Sequence, residues 1–290
     1  MVVAYLDTQA RQLRRYDPLV RRDAPDAVHQ MRVAARRMRS ALQAFGRVID
    51  RDQTRELTAE LKWVAGELGG ARDAEVMAER IAELLTQVPD DLKLGPIDAV
   101  VTRAFERRAA EGRAAGLAAL DSDRYLELHE RIDALLADPP LTPRAGRKAK
   151  RELPKSIRRA YRRVESRMAE AQCQPSGEDR DRALHEARKA AKRLRYATEA
   201  VGPRLGSKPA ALLKKRLKSV QSLLGDHQDA AVLRPVLREL AGQAHLEGGN
   251  GFTYGLLYAA EAVRAERAED KLASAWKRMR KSKSIAWLRN

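Results

Sequence analysis

Only one cysteine, Cys173, occurs in 290 residues. That excludes an intramolecular disulfide and any zinc site built on several thiolates, and it fits a reducing compartment. Aromatic residues make up 4% of the chain, too few for aromatic-rich strands, and strand-like alternation is absent. Long apolar runs are missing too. None approaches the ~18 residues of a membrane span, and "MVVAYLDTQARQLRR" has no hydrophobic stretch of the signal-peptide kind. The expected setting is cytoplasmic, with no membrane partner. No Walker loop, nucleophile elbow or clustered carboxylate pair is present, so no catalytic residue, no cofactor and no enzymatic activity are expected.

What the chain has in abundance is alanine, leucine, arginine and glutamate, the composition of packed helices. A hydrophobic content of 44% suffices to fill a core. Lys+Arg 57 against Asp+Glu 40 gives a net charge of +17 and a pI near 10.3, so the natural partners are polyanions: nucleic acid, anionic lipid or inorganic phosphate polymers. Breakers at Pro25 and within 88–96, 138–146, 174–177, 202–209 and 247–251 read as loops. Between them apolar residues recur every three or four positions, as in Leu57, Leu61, Val64 and Leu68. The expected fold class is all-α.

A pattern is written twice. "HQMRVAARRMRSALQAF" from His29 and "HEARKAAKRLRYATEAV" from His185 share eight of seventeen positions at an offset of 156. "LKWVAGELGGARDAEV" from Leu61 and "LKSVQSLLGDHQDAAV" from Leu217 share eight of sixteen at the same offset. Two separated blocks in one register indicate a duplicated unit. The expectation is two four-helix bundles, residues 1–139 and 140–290, related by a pseudo-twofold axis within one domain.

On a helical wheel Arg32, Arg36 and Arg39 fall within about 80° of His29, while Met31, Ala34, Met38, Leu42 and Phe45 cluster opposite. His185, Arg188, Lys192 and Arg195 repeat the ridge, with Arg37 and Arg193 matched on its flank. Like charges at these spacings repel, and no acid lies between His29 and Asp50. Compensation comes either from other helices, through Glu56, Glu60, Glu67, Asp73, Asp226 or Asp229, or from a bound polyanion. Arginine suits multidentate contact with phosphate oxygens, which favours the second.

The "H-x-x-R-x-x-x-[RK]-R-x-R" pattern, followed in each copy by "L-K-x-V-x-x-x-L-G…D", resembles the conserved-histidine α-helical (CHAD) domain family over essentially the whole chain. The resemblance implies two four-helix bundles with a central basic groove that binds inorganic polyphosphate. The matching positions are His29, Arg32, Arg36, Arg37, Arg39, His185, Arg188, Lys192, Arg193 and Arg195. The expected cellular role is docking to polyphosphate granules or scaffolding polyphosphate metabolism, and no hydrolase activity carries over from the resemblance. Nucleic acid bound without sequence preference is the alternative partner, weakened because no basic face is studded with aromatics for stacking bases: Trp63, Trp276 and Trp287 are scattered, and Tyr196 alone interrupts a ridge.

Further basic residues are candidates. Lys62 and Lys218 match across the repeat, and Lys214 lies one turn before Lys218. Lys155, Arg158, Arg159 and Arg162 belong to a basic stretch of which some members extend the surface, with Arg11, Arg14 and Arg15 as first-unit counterparts. The tail "WKRMRKSKSIAWLRN" is a further basic segment. Gly69 and Gly225 read as left-handed helix ends, and Asp73 or Asp229 as a cap or an orienter of arginine. No metal site is expected at His29 or His185, whose surroundings are cationic. Asp226, His227 and Asp229 are set aside because only the last is repeated.

Overall fold

The computed structural model describes residues 1–205, 208–281 and 285, with side chains described outside 202–209. The described residues form ten α-helices and no strand: α1 (Val2–Arg21), α2 (Ala27–Ala44), α3 (Arg55–Glu67), α4 (Gly70–Leu85), α5 (Ile97–Leu120), α6 (Asp123–Ala137), α7 (Ala149–Cys173), α8 (Glu178–Leu205), α9 (Lys208–Leu246) and α10 (Phe252–Lys281). None of them is long and apolar enough to cross a membrane. The breaker segments fall between helices, except that α8 runs on to Leu205 and α9 begins at Lys208, both inside the 202–209 segment. Local signals set several ends: Ser122 accepts from the Tyr125 amide at the start of α6, and Gly248, at φ 76°, closes α9. In the basic tail, Trp276 and Met279 are buried in the core, and residues 282–284 and 286–290 lie outside the described residues.

Against an expected four α-helices in each half, the described part of 140–290 carries four and 1–139 carries six. Residues 55–85 are divided at Leu68–Gly69 into α3 and α4, where α9 runs through the corresponding Gly225 without a break. The first copy has two successive glycines there, 69 and 70, and the second has Gly225–Asp226. The cores do not follow the halves either. The larger contains α1, α2, α3, α6, α7, α8, the first part of α9 and the last part of α10. The smaller joins Ala74, Ile81, Leu84 and Leu85 of α4 and Ile97, Val101 and Phe105 of α5 to Leu233, Leu237, Leu240, Tyr254 and Leu257 of α9 and α10.

The burial pattern of α1 recurs in α7, in a different register from the sequence repeat. Val2, Leu6, Gln9, Ala10, Leu13 and Val20 are the buried residues of α1, and Leu153, Ile157, Ala160, Tyr161, Val164 and Ala171 of α7 are buried 151 positions further on. Each of these helices packs on its ridge helix, α1 on α2 and α7 on α8, and the two ridge helices pack on each other. Polar ties bind the halves across the smaller core. Glu261 of α10, fully buried, accepts from Arg80 of α4 at 2.7 Å, and Thr253 donates to the Leu92 carbonyl at 3.0 Å.

Helices α4 and α5 meet backbone to backbone at Gly70 and Gly112. A Cβ on Gly112 would stand 2.3 Å from the Ala71 amide nitrogen and 2.5 Å from the Gly70 carbonyl carbon, which no side-chain adjustment relieves. Gly112→Ala is expected to cost about 2–3 kcal/mol in denaturant unfolding. Gly116→Ala, one turn on, meets Leu68 at 3.5 Å and the Glu67 carbonyl at 3.6 Å, both ordinary contacts, and is expected to change stability by less than about 1 kcal/mol.

Candidate functional site

The two ridges lie where the helices leave the larger core and enter the smaller one. Leu57 to Leu68 of α3 and Leu213 to Leu224 of α9 belong to the first, and Ala74 of α4 and Leu233 of α9 to the second. Gly69 and Gly225 mark that passage, and each faces a ridge arginine. Arg32 donates to the Gly69 carbonyl at 3.2 Å, and a Cβ there would sit 3.0 Å from its Nη2. Arg188 stands 3.5 Å from the place of a Cβ on Gly225. The expected left-handed helix ends are corrected: Gly69 has φ −80°, and Gly225 is inside α9. At Gly69 the small residue leaves room for a guanidinium.

Apart from His29, which is exposed, the ridge residues of α2 and α8 are half-buried, because their apolar neighbours Met31, Ala34, Ala35 and Met38, and Ala187, Ala190, Ala191 and Leu194, fill the core behind them. Both ridges converge. Arg36 feels the charges of Arg32, Arg188 and Arg39, and Lys192 those of Arg188, Arg36 and Arg195. Some compensation is built in. Arg32 pairs with Asp73 at 3.0 Å and Arg188 with Asp229 at 3.9 Å. Glu199 faces Arg37 at 3.7 Å, Arg195 at 3.6 Å and Lys214 at 3.5 Å. Of the other acids considered, Glu56 pairs with Arg131, Glu60 with Arg124 and Asp226 with Arg264. They do not reach the ridges.

Of the ridge and flank cations of α2 and α8, four have no carboxylate within ion-pair distance among the described residues: Arg36, Arg39, Lys192 and Arg193. The Nε atoms of Arg36 and Arg39 are buried without a hydrogen-bond partner. Burial lowers the affinity of Arg36 and Arg39 for their protons. Burial, then Arg188 and Arg36, push the Lys192 ammonium down to about 8. Burial, then Arg163, Arg39 and Arg51, push Arg193 down to about 10. These are opposite to the shifts an ion pair produces.

The histidines stand at the starts of the ridges. Partial burial, with Arg36, Arg32 and Arg72 opposing the pull of Asp26, holds His29 below the ordinary imidazole range. Gln228 accepts from His185 Nδ1, so the neutral ring presents a lone pair at Nε2 and donates outward only as imidazolium. His185, Gln228, Arg182, Arg234 and Arg238 line a cavity of about 680 Å³.

The remaining candidates divide. Lys214 and Lys218 share a cleft of about 290 Å³ with Arg195 and Glu199, while Lys62 is exposed on α3. Lys155 is tied to buried Glu152 at 3.2 Å, Arg158 is half-buried, and Arg159 and Arg162 are exposed on α7. Arg11 pairs with Asp7, Arg14 with Asp133, and Arg15 lies over Tyr16, so their partners belong to α1 and α6. Arg51, Arg163, Arg72 and Glu199 were not singled out in the sequence. Glu199 could have been found by asking which residue of the second copy adds an acid to the ridge.

A possible metal-ligand set lies elsewhere. His227, buried, has Nε2 at 3.3 Å from Asp181 and 3.2 Å from Glu269, rather than beside Asp226 or Asp229. Arg234 holds Asp181 at 2.6 Å and Arg180 holds Glu269 at 2.5 Å. The arginines already neutralise both carboxylates, which makes this an ion-pair network tying α8, α9 and α10.

An all-helical protein with two duplicated cationic helices packed at the junction of two cores is the class these features define. The CHAD domain profile matches residues 4–238, and the chain belongs to the CHAD domain family. It is 38% identical over 277 residues to the uncharacterized proteins MT2285 and Rv2226 of Mycobacterium tuberculosis, covering 94% of this chain. The chain spans about half their length, 52%. Among solved structures it shares the fold of PptA from Streptomyces chartreusis (TM-score 0.81, 23% identity, 96% of this chain and 98% of that one). It is also similar to the CHAD domain from the plant Ricinus communis (TM-score 0.70, 26% identity, 97% and 91%).

Because Lys192 binds its proton less tightly folded than at its ordinary 10.5, the unfolded chain carries more protons between about pH 8 and 10.5. Stability of the free protein is therefore expected to rise with pH across that window. Lys192→Gln should remove this rise and raise the melting temperature at pH 7 by about 2–4 °C, about 1 kcal/mol. Melting curves at a series of pH values check both.

Proposed function

We propose that this protein binds inorganic polyphosphate without catalysis, between the facing ridges of α2 and α8. The observation that carries the reading is the group of half-buried, unpaired cations Arg36, Arg39, Lys192 and Arg193. A buried charge without a counter-ion is costly, and the cost is recovered when an anion arrives. A chain of phosphates supplies charge at short, regular spacing and needs no base-stacking surface. Family membership supports the same choice. Arg32 and Arg188, held by Asp73 and Asp229, form the walls, and the two histidines stand at the starts of the ridges. Attachment to polyphosphate granules in the cytoplasm is the cellular role that fits.

Competition between long-chain polyphosphate and duplex DNA of equal phosphate concentration, at fixed physiological salt, tests the reading. Polyphosphate is expected to win by at least about tenfold, and the Arg36→Ala/Lys192→Ala double variant to lose that preference while keeping its helical signal. Equal displacement by DNA would make the surface a generic basic one. The pH dependence is a second check. A bound polyanion returns the Lys192 proton affinity toward its ordinary value, so binding takes up a proton above pH 8. Affinity is expected to fall as pH rises from about 8 to 10, and Lys192→Arg to flatten that fall, in titrations at constant ionic strength.

A further inference from the structure

Duplication makes the two ends of the ridge contact look equivalent, and the residues one turn beyond them break the equivalence. Position 199 is glutamate; its counterpart 156 residues earlier is Gln43. Position 196 is tyrosine; its counterpart is Ser40. At one end, then, Arg37 and Arg195 lie over the buried Tyr196 ring at 5.9 and 5.0 Å. The same two arginines, with Lys214, converge on Glu199. From α1 this end receives Tyr5, a neutral group that senses Arg37, Glu199, Tyr196 and Arg195 and that burial pushes up to about 12.

The other end is built from the duplicates and has none of these devices. Arg39 and Arg193 replace Arg195 and Arg37, and the neighbours acting on Arg193 are Arg163, Arg39 and Arg51. The acid that acts on it there, Glu186, is already paired with Lys189. Where α1 brings a phenol, α7 brings Arg163. Two guanidinium groups are half-buried without a carboxylate, and two exposed ones stand near them.

We propose that the ends are unequal anion sites: Arg39, Arg193, Arg51 and Arg163 form the seat that a short oligophosphate occupies first. Glu199 is an internal counter-ion at the opposite end, which a polyphosphate chain displaces from Arg37, Arg195 and Lys214. The proposal rests on the polyphosphate reading and adds an order of occupation to it. Coulomb's law gives the direction. An anion entering the first seat meets four cations and no carboxylate paired with Arg39 or Arg193, the nearby Glu186 being held by Lys189, whereas at the second it must compete with a carboxylate held within 4 Å of three cations. Long chains cover both ends and gain from the second only after Glu199 yields.

Calorimetric titration of the full chain with tripolyphosphate and with long-chain polyphosphate, at one salt concentration, separates the possibilities. Wild type is expected to bind one tripolyphosphate. Gln43→Glu should weaken that site at least about tenfold, and Glu199→Gln should add a second site, taking the stoichiometry toward two. Arg193→Gln should weaken tripolyphosphate about tenfold more than Arg195→Gln does, which gives an independent reading if the Gln43 variant melts early. Two equal sites in wild type, or equal losses in the two arginine variants, would overturn the inequality. Binding of the long chain without tripolyphosphate would remove the seat and leave the polyphosphate reading standing. Binding of neither would overturn both.

Discussion

Repulsion between α2 and α8 is the constraint around which the rest of the structure is arranged. Two helices that pack on each other each carry a row of cations, and at Arg36 and Lys192 the rows meet with no carboxylate paired to either among the described residues, Asp229 acting on Lys192 only from beyond ion-pair distance. Apolar burial behind the ridges holds them there: Met31, Met38, Ala191 and Leu194 are all fully buried. The folded chain thus keeps charges together that water would separate. Local acids relieve only the outer members, through Asp73, Asp229 and Glu199. The centre stays positive.

That arrangement explains why the two halves do not make separate cores. Had each half folded on itself, the ridges would have been free to diverge. Instead the α4–α5 pair packs with the distal part of α9 and the start of α10, and Glu261 with Arg80 ties them through a buried ion pair. Gly69 and Gly225 sit where α3 and the first part of α9 leave the larger core, and the space they leave receives Arg32 and Arg188. Packing and electrostatics act on the same residues.

Much of this was legible in the sequence. The duplicated His/Arg/Lys motif was visible as a repeat at one offset, and the helical periodicity of its apolar faces was sufficient to place the core side. The α1–α7 correspondence was hidden because it runs at 151 rather than 156, and because only burial is shared: Leu6 matches Ile157, and Gln9 matches Ala160. The continuity of α9 was hidden for a related reason, since Gly225 looks like a stop signal while its role is to stand beside Arg188. Long-range partners such as Glu199 with Arg37, or Arg163 with Arg193, depend on how helices cross, and no local pattern encodes that.

An experimental structure of the protein with a defined-length oligophosphate tests the central claim most directly. The account predicts phosphate groups between α2 and α8, with Arg36, Lys192, Arg39 and Arg193 donating to their oxygens and little movement of either helix. Phosphates bound instead along the exposed face of α7, with the α2–α8 cations left facing one another, would contradict it.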